Sequence, residues 1–226
     1  MNTKIFLSTV VFLLCFSCKP ETKAEVNTNA AQGVSIISQS NPNDFVQNDD
    51  LAELVKVLPS LIDRSIRYDP SYAVIGYPNG DVPANRGVCT DVVIRAYRKI
   101  GIDLQKEVHE DMKANFDRYP KRWGLKEPDT NIDHRRVPNL MTFFSRHGEV
   151  LAITDNPKDY KPSEIVCWDL GGGILHIGIV TNIASTDTRS GFQMIHNIGY
   201  GQVLEDCLFY WTVIGHYSYS GKKKVE

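Results

Sequence analysis

The chain has 226 residues, with 25 basic against 27 acidic side chains, a formal net charge of −2 and a hydrophobic share of 42%. That balance leaves no basic field for nucleic acid, and that apolar share is enough for a proper core. The length beyond the amino-terminal segment fits one domain.

Lys4 is followed by apolar residues 5–16, a run too short to span a bilayer and suited to a signal peptide. The run ends in CFSC. Ser17 before Cys18 resembles a bacterial lipoprotein signal, so residues 1–18 read as that signal and Cys18 as the lipid acceptor; an ordinary cleaved signal is the alternative. Cys15 is a poorer acceptor because bulky Leu14 precedes it. The mature chain is expected in the cell envelope, anchored by its lipid on the periplasmic or the outer surface. Residues 19–48 are rich in Thr, Asn, Ala, Gln, Ser, Lys and Glu, with almost no aromatics. Such a stretch buries too little surface to order itself and reads as a flexible tether to a domain over 49–226.

In chain order, Leu51, Leu54, Val55, Leu58 and Ile62 share one helical face behind Asp49 and Asp50, with Pro59 splitting the helix. Residues 77–87, YPNGDVPANRG, are turn signals throughout. A second helix runs from Cys89 to Ile100 and stops at Gly101; Val92, Val93, Ala96, Tyr97 and Ile100 form its stripe. A third covers 103–119 and a fourth 138–147, joined by a charged loop at 121–136. The period then changes. Residues 149–153, 164–170, 175–183, 192–198 and 211–219 read as strands, with GGG at 171–173 as a hairpin. Helices followed by a strand meander predict an α+β fold, the helices packed on a segregated antiparallel sheet.

The chemistry starts from Cys89. A thiol at a helix amino terminus feels unpaired N–H groups and the positive end of the dipole, which favour thiolate. Gly87 leaves room for a substrate backbone. A thiolate nucleophile needs a proton acceptor, usually imidazole. His176 lies in LHIGIV, and alternation puts His176, Gly178 and Val180 on one strand face. The open space over Gly178 is where the helix end carrying Cys89 is expected to press in. His196 on the next strand can orient the His176 ring; Asn197 points the other way, so one of the two serves. Cys167 and Cys207 read as small buried hydrophobes, a disulfide between them being the alternative. No CxxC or HxxxH spacing suggests zinc, and neither metal nor organic cofactor is expected. Asp91 reads as a cap for the first turn, and His216 as structural. His109, His134 and His147 have no partner in view.

Taken together, YKPSEIVCWD, LHIGIVTN and GFQMIHN resemble the NlpC/P60 group of papain-like cysteine peptidases. YPNGDVP, GVCTDVVIRAYR, DLQKEVHEDM, DTNIDHRRVPNL, HNIGYG and GHYSY resemble the DUF1287 proteins, an NlpC/P60-like bacterial group of unassigned function, over residues 50–220. The resemblance implies a papain-like fold, with Cys89 as nucleophile, His176 as base, His196 as third member and Tyr77 lining the site. Two departures stand out: Pro162-Ser163-Glu164 replaces the family's Pro-Gly-Asp, and Val88-Cys89-Thr90-Asp91 replaces its Asp-Cys-Ser-Gly. Residues 102–160 are an insert whose Arg135 and Arg136 suit a carboxylate clamp or an ion-paired surface loop. Trp168 reads as core or as a wall for a sugar or peptide. Tyr77, Asp91, Arg135, Arg136, Trp168 and Asn197 complete the candidate substrate-binding set.

The expected activity is hydrolysis of an amide in a peptidoglycan-derived peptide or related substrate, by a monomer with no nucleic-acid partner. Acyl transfer by the same residues, cleavage of another amide, and a non-catalytic envelope-binding lipoprotein are the alternatives.

Overall fold

The computed structural model describes residues 44–187 and 191–221. The signal 1–18, Cys18 and tether residues 19–43 lie outside them. Among the described residues, no helix is long and apolar enough to cross a membrane.

Helix α1 spans Asp44–Val57 and starts before the predicted boundary at 49. Pro59, which has no N–H to donate, ends it in a 3₁₀ turn at Leu58–Leu61 that buries Leu58 and Leu61. Strands β1, Arg67–Tyr68, and β2, Arg86–Gly87, pair in parallel, with Tyr68 opposite Gly87. Both are two-residue strands with no pattern to announce them. Helix α2, Cys89–Lys99, buries Val92, Val93, Ala96 and Tyr97 of the predicted stripe, leaves Ile100 partly buried just past its end, and stops before Gly101, at φ +82°, where a glycine suits the left-handed turn. Helix α3, Leu104–Ala114, starts with the Asp103 carboxylate accepting the Lys106 N–H. It ends short of the predicted 119, giving way to a 3₁₀ turn at Phe116–Arg118. Helix α4 covers Val137–His147. Asp111 on α3 accepts from Arg146 on α4 and from Tyr119. Burial pushes its carboxyl up, yet Arg146, Tyr119 and His147 together hold it below the usual range.

The sheet follows: β3, Glu149–Val150; β4, Ile165–Asp169; β5, Leu175–Ala184; β6, Phe192–His196; β7, Val203–Glu205; β8, Thr212–Ser218. Its order is β3-β8-β4-β5-β6-β7, every pair antiparallel. The chain is therefore α+β, as its pattern predicts. Only β7 was unforeseen in this sheet; its three residues are too few to show a period.

Alternation sorts each strand onto two faces. Ile165, Cys167, Ile177, Ile179 and Ile195 pack with Cys89, Val92, Val93 and Ala96 of α2 and with Leu140, Phe143 and Phe144 of α4. Val166, Trp168, Val180 and Met194 pack on the other side with Tyr160, Cys207 and Leu208. Cys167 and Cys207 thus lie on opposite sides of the sheet. All three described cysteines are free thiols, so the disulfide alternative falls away.

Gly178 sits on the second face. A Cβ there would lie 2.9 Å from the Ile195 carbonyl, 3.1 Å from the His196 Cβ and 3.2 Å from the Trp168 ring. Gly178→Ala is expected to cost about 1–3 kcal/mol by overpacking, read as a lower midpoint in urea unfolding.

Candidate active site

Cys89 is the first residue of α2, and its surroundings are fixed by Asp91 two residues on. The Asp91 carboxylate accepts the Val88 N–H at 2.6 Å, closing the first turn. It also takes both arms of Arg135, at 2.9 and 3.0 Å. The Thr90 hydroxyl donates to the Arg135 carbonyl. The 3₁₀ turn Asp133–Arg135 is thereby fastened to the helix end that carries the thiol.

Cys89 is only 4% exposed. It lines a cavity of about 210 Å³ together with Tyr68, Trp123, Arg135, Arg136 and Leu175. Burial pushes its thiol up to about 12. The N–H groups of Ile177, Thr90 and Cys89 itself act the other way, as a helix start should, and lose to desolvation. The phenol of Tyr68 faces the sulfur; burial first, and then Cys89, raises it to about 12. Alkylation of folded Cys89 by iodoacetamide is therefore expected to be at least tenfold slower at pH 8 than that of a model thiol near 8.5, and to climb with pH. Mass mapping of the labelled peptide reads this.

The imidazoles stand on the other face of β5. His176 Nε2 and His196 Nδ1 are 2.8 Å apart. Trp168 stacks on His176, with ring centroids 5.6 Å apart. Burial, with His196 adding to it, pulls His176 down to about 3. Burial lowers His196 as well, against the opposing pull of Glu205. His196 Nε2 lies 3.0 Å from Glu205 Oε2 and 3.4 Å from Cys207 Sγ.

This corrects the expected route of approach. The space over Gly178 is filled by Trp168 and His196, so α2 packs on the Ile177 and Ile179 face. Among the described residues, no hydrogen bond joins Cys89 to His176. The two still flank one peptide unit, because the N–H pointing at the sulfur belongs to Ile177, the residue after His176.

The substrate-binding candidates divide. Arg135 and Arg136 line the cavity. Arg136 lies 4.1 Å above the Trp123 ring, and its Nη1 is buried without a hydrogen-bond partner. Asp91 is buried and its oxygens are taken by Val88 and Arg135, which leaves it no substrate role. Tyr77 packs edge-on against His109 and does not line the cavity; Tyr68 holds the position expected of it. Trp168 is fully buried and donates to the Leu208 carbonyl, so it backs His176 and is no cleft wall. Asn197 is buried; it donates to the Gly87 carbonyl and accepts from the Gly199 N–H, tying the end of β6 to β2. His216 is structural as expected, held between the Ala152 carbonyl and Glu164.

Tyr68 and Glu205 escaped the sequence reading, and Cys207 was read only as a small buried hydrophobe. Tyr68 is carried by a two-residue strand. Glu205 and Cys207 are visible only once β7 is paired: Glu205 faces Met194, which sets it diagonally across from His196.

A family model described as a domain of unknown function, DUF1287, matches residues 58–219. Over 158 residues, 70% of this chain and 76% of the relative, the chain is 53% identical to a protein of Escherichia coli (strain K12) described as uncharacterized protein YijF. The family match runs from the 3₁₀ turn after α1 to the residue after β8, and so takes in Tyr68, Cys89, Arg135, His176, His196, Glu205 and Cys207 alike. A match of that extent and a relative of that identity place the chain in the DUF1287 family.

Proposed function

We propose that the chain is a cell-envelope thiol hydrolase of papain-like, NlpC/P60-like kind, acting on an amide of a peptidoglycan-derived peptide or a related compound. One juxtaposition carries the reading. A cysteine at the start of α2 opens on a cavity, and the peptide unit it abuts belongs to His176, the head of a His176–His196–Glu205 chain.

The chain of acceptors sets the tautomers. The Glu205 carboxylate takes the proton on His196 Nε2. His196 Nδ1 is then a lone pair and accepts from His176 Nε2. That leaves His176 Nδ1 unprotonated and able to act as base. On substrate entry the sulfur, which rests on the Ile177 N–H, has to swing past the head of β5 to meet the His176 ring on the other face. It gives up its proton to Nδ1 as it attacks the carbonyl, and a sulfur–carbon bond forms. N–H groups of the first turn of α2 receive the developing oxyanion. The carbon–nitrogen bond breaks, the proton leaves on the amine, and water cleaves the thioester to restore the thiol.

At rest both partners are neutral, the thiol pushed up and the imidazole pulled down by the same burial. Activation therefore belongs to the act of attack and is not stored as an ion pair. Partnerless Arg136 Nη1 beside Trp123 suits a substrate with a carboxylate and an apolar or sugar face. In this reading Cys18 carries the lipid that holds the domain at its membrane, the chain works as a monomer, and an amine acceptor in place of water would give acyl transfer.

The missing hydrogen bond between Cys89 and His176 favours a second reading, a non-catalytic envelope-binding module. Digestion of purified muropeptides by the mature protein, followed by mass spectrometry, separates the two. Fragments that differ by hydrolysis of one amide support the enzyme. Muropeptides retained on the immobilised protein but never cut support the binder.

A further inference from the structure

We propose that His196, Glu205 and Cys207 form a binding site for a borderline-soft divalent cation, Zn²⁺ foremost. One donor atom from each lies within 4.8 Å of the other two. His196 Nε2 is 3.0 Å from Glu205 Oε2 and 3.4 Å from Cys207 Sγ. Tetrahedral zinc, with bonds of about 2.0–2.3 Å, sets its ligand atoms about 3.3–3.7 Å apart. The two separations from His196 already stand near that spacing, and the third, from Glu205 to Cys207, is within 4.8 Å.

Three further observations fit. His196 is held from behind at Nδ1 by His176 at 2.8 Å, the support that metal-bound imidazoles usually have. His196 and Cys207 are fully buried, whereas the Glu205 side chain is 38% exposed, so an ion can enter past the carboxylate. The charges also balance. A divalent ion with one carboxylate, one thiolate and a neutral imidazole makes a site with no net charge; the thiol proton leaves to solvent as the sulfur binds. A thiolate and an imidazole select zinc over magnesium or calcium, which prefer oxygen. Three protein ligands leave the fourth position to water.

Occupancy has a consequence that rests on the hydrolase reading. A metal on His196 Nε2 forces the ring proton to Nδ1, which then donates to His176 Nε2. The single proton of neutral His176 must sit on its own Nδ1, and that nitrogen can no longer take the thiol proton. Metal binding would switch the nucleophile off without touching it.

The test is titration of the chelator-treated mature protein with Co²⁺, followed by absorption and by native mass spectrometry. The expected result is one ion per chain with a thiolate-to-cobalt charge-transfer band in the near ultraviolet. Cys207→Ser should lose the band and bind at least about tenfold more weakly, and Glu205→Gln should also weaken binding. Cys89→Ala should keep the band. Absence of stoichiometric uptake by the wild-type protein would overturn the proposal, as would a band that survives Cys207→Ser or vanishes in Cys89→Ala. Wild-type stoichiometry stands as evidence even where a variant fails to fold, as judged by circular dichroism. None of these readouts involves turnover, so a failed metal site and a failed hydrolase are told apart. Where turnover is found, Zn²⁺ should abolish it and a chelator restore it.

Discussion

Cys89→Ala is expected to lower amide cleavage by at least about 10³-fold, to the background of the buffer, while leaving the fold in place. In the proposed mechanism the sulfur is the bond-forming atom, so nothing else in the cavity can supply the thioester. The stability cost should be small. Removing one sulfur from the wall of an existing cavity leaves a void that already communicates with open space, and about 1 kcal/mol or less is expected. The measurement is paired: muropeptide digestion by mass spectrometry, and thermal unfolding of the same preparation. A variant that digests as fast as the parent sinks the mechanism. His176→Ala should reproduce the loss with Cys89 intact.

The largest stability effect is expected at Asp91. This carboxylate holds both arms of Arg135 and the Val88 N–H, and Asp91 and Arg135 are both buried. Asp91→Ala strands a guanidinium in the interior and uncaps α2. A buried pair broken from one side costs about 3–5 kcal/mol, a fall in Tm on the order of 10 °C for a domain of this size. Arg135→Ala should cost a comparable amount. The double variant should cost clearly less than the two losses added together, because each single change pays for the same unpaired charge. Strict additivity in urea unfolding would show that the pair does not act as a unit.

Much of this architecture was legible in the sequence. Period-3.6 stripes announced α1 and α2, and period-2 runs announced β4, β5, β6 and β8. The same alternation correctly set His176 and His196 on one face. It could not say which face the helices would cover. That was decided by bulk: Ile177 and Ile179 offer apolar surface to α2, whereas Trp168 and His196 fill the side that Gly178 leaves bare. Short elements were invisible for a different reason. β1 and β7 hold their places through pairing with β2 and β6, and two or three residues carry no period. Tyr68 and Glu205 were hidden with them. Asp91 was half read: its capping role follows from local position, but its ion pair with Arg135 spans 44 residues and needed the fold.

The high proton affinity of Cys89 has a bearing on the molecule's durability. Burial holds its thiol far above the ordinary range, at about 12, so the anion, the form that peroxide and disulfides attack, is scarce at neutral pH. Cys167 and Cys207 are shielded in the same way. Burial and protonation together thus guard all three described thiols against oxidation.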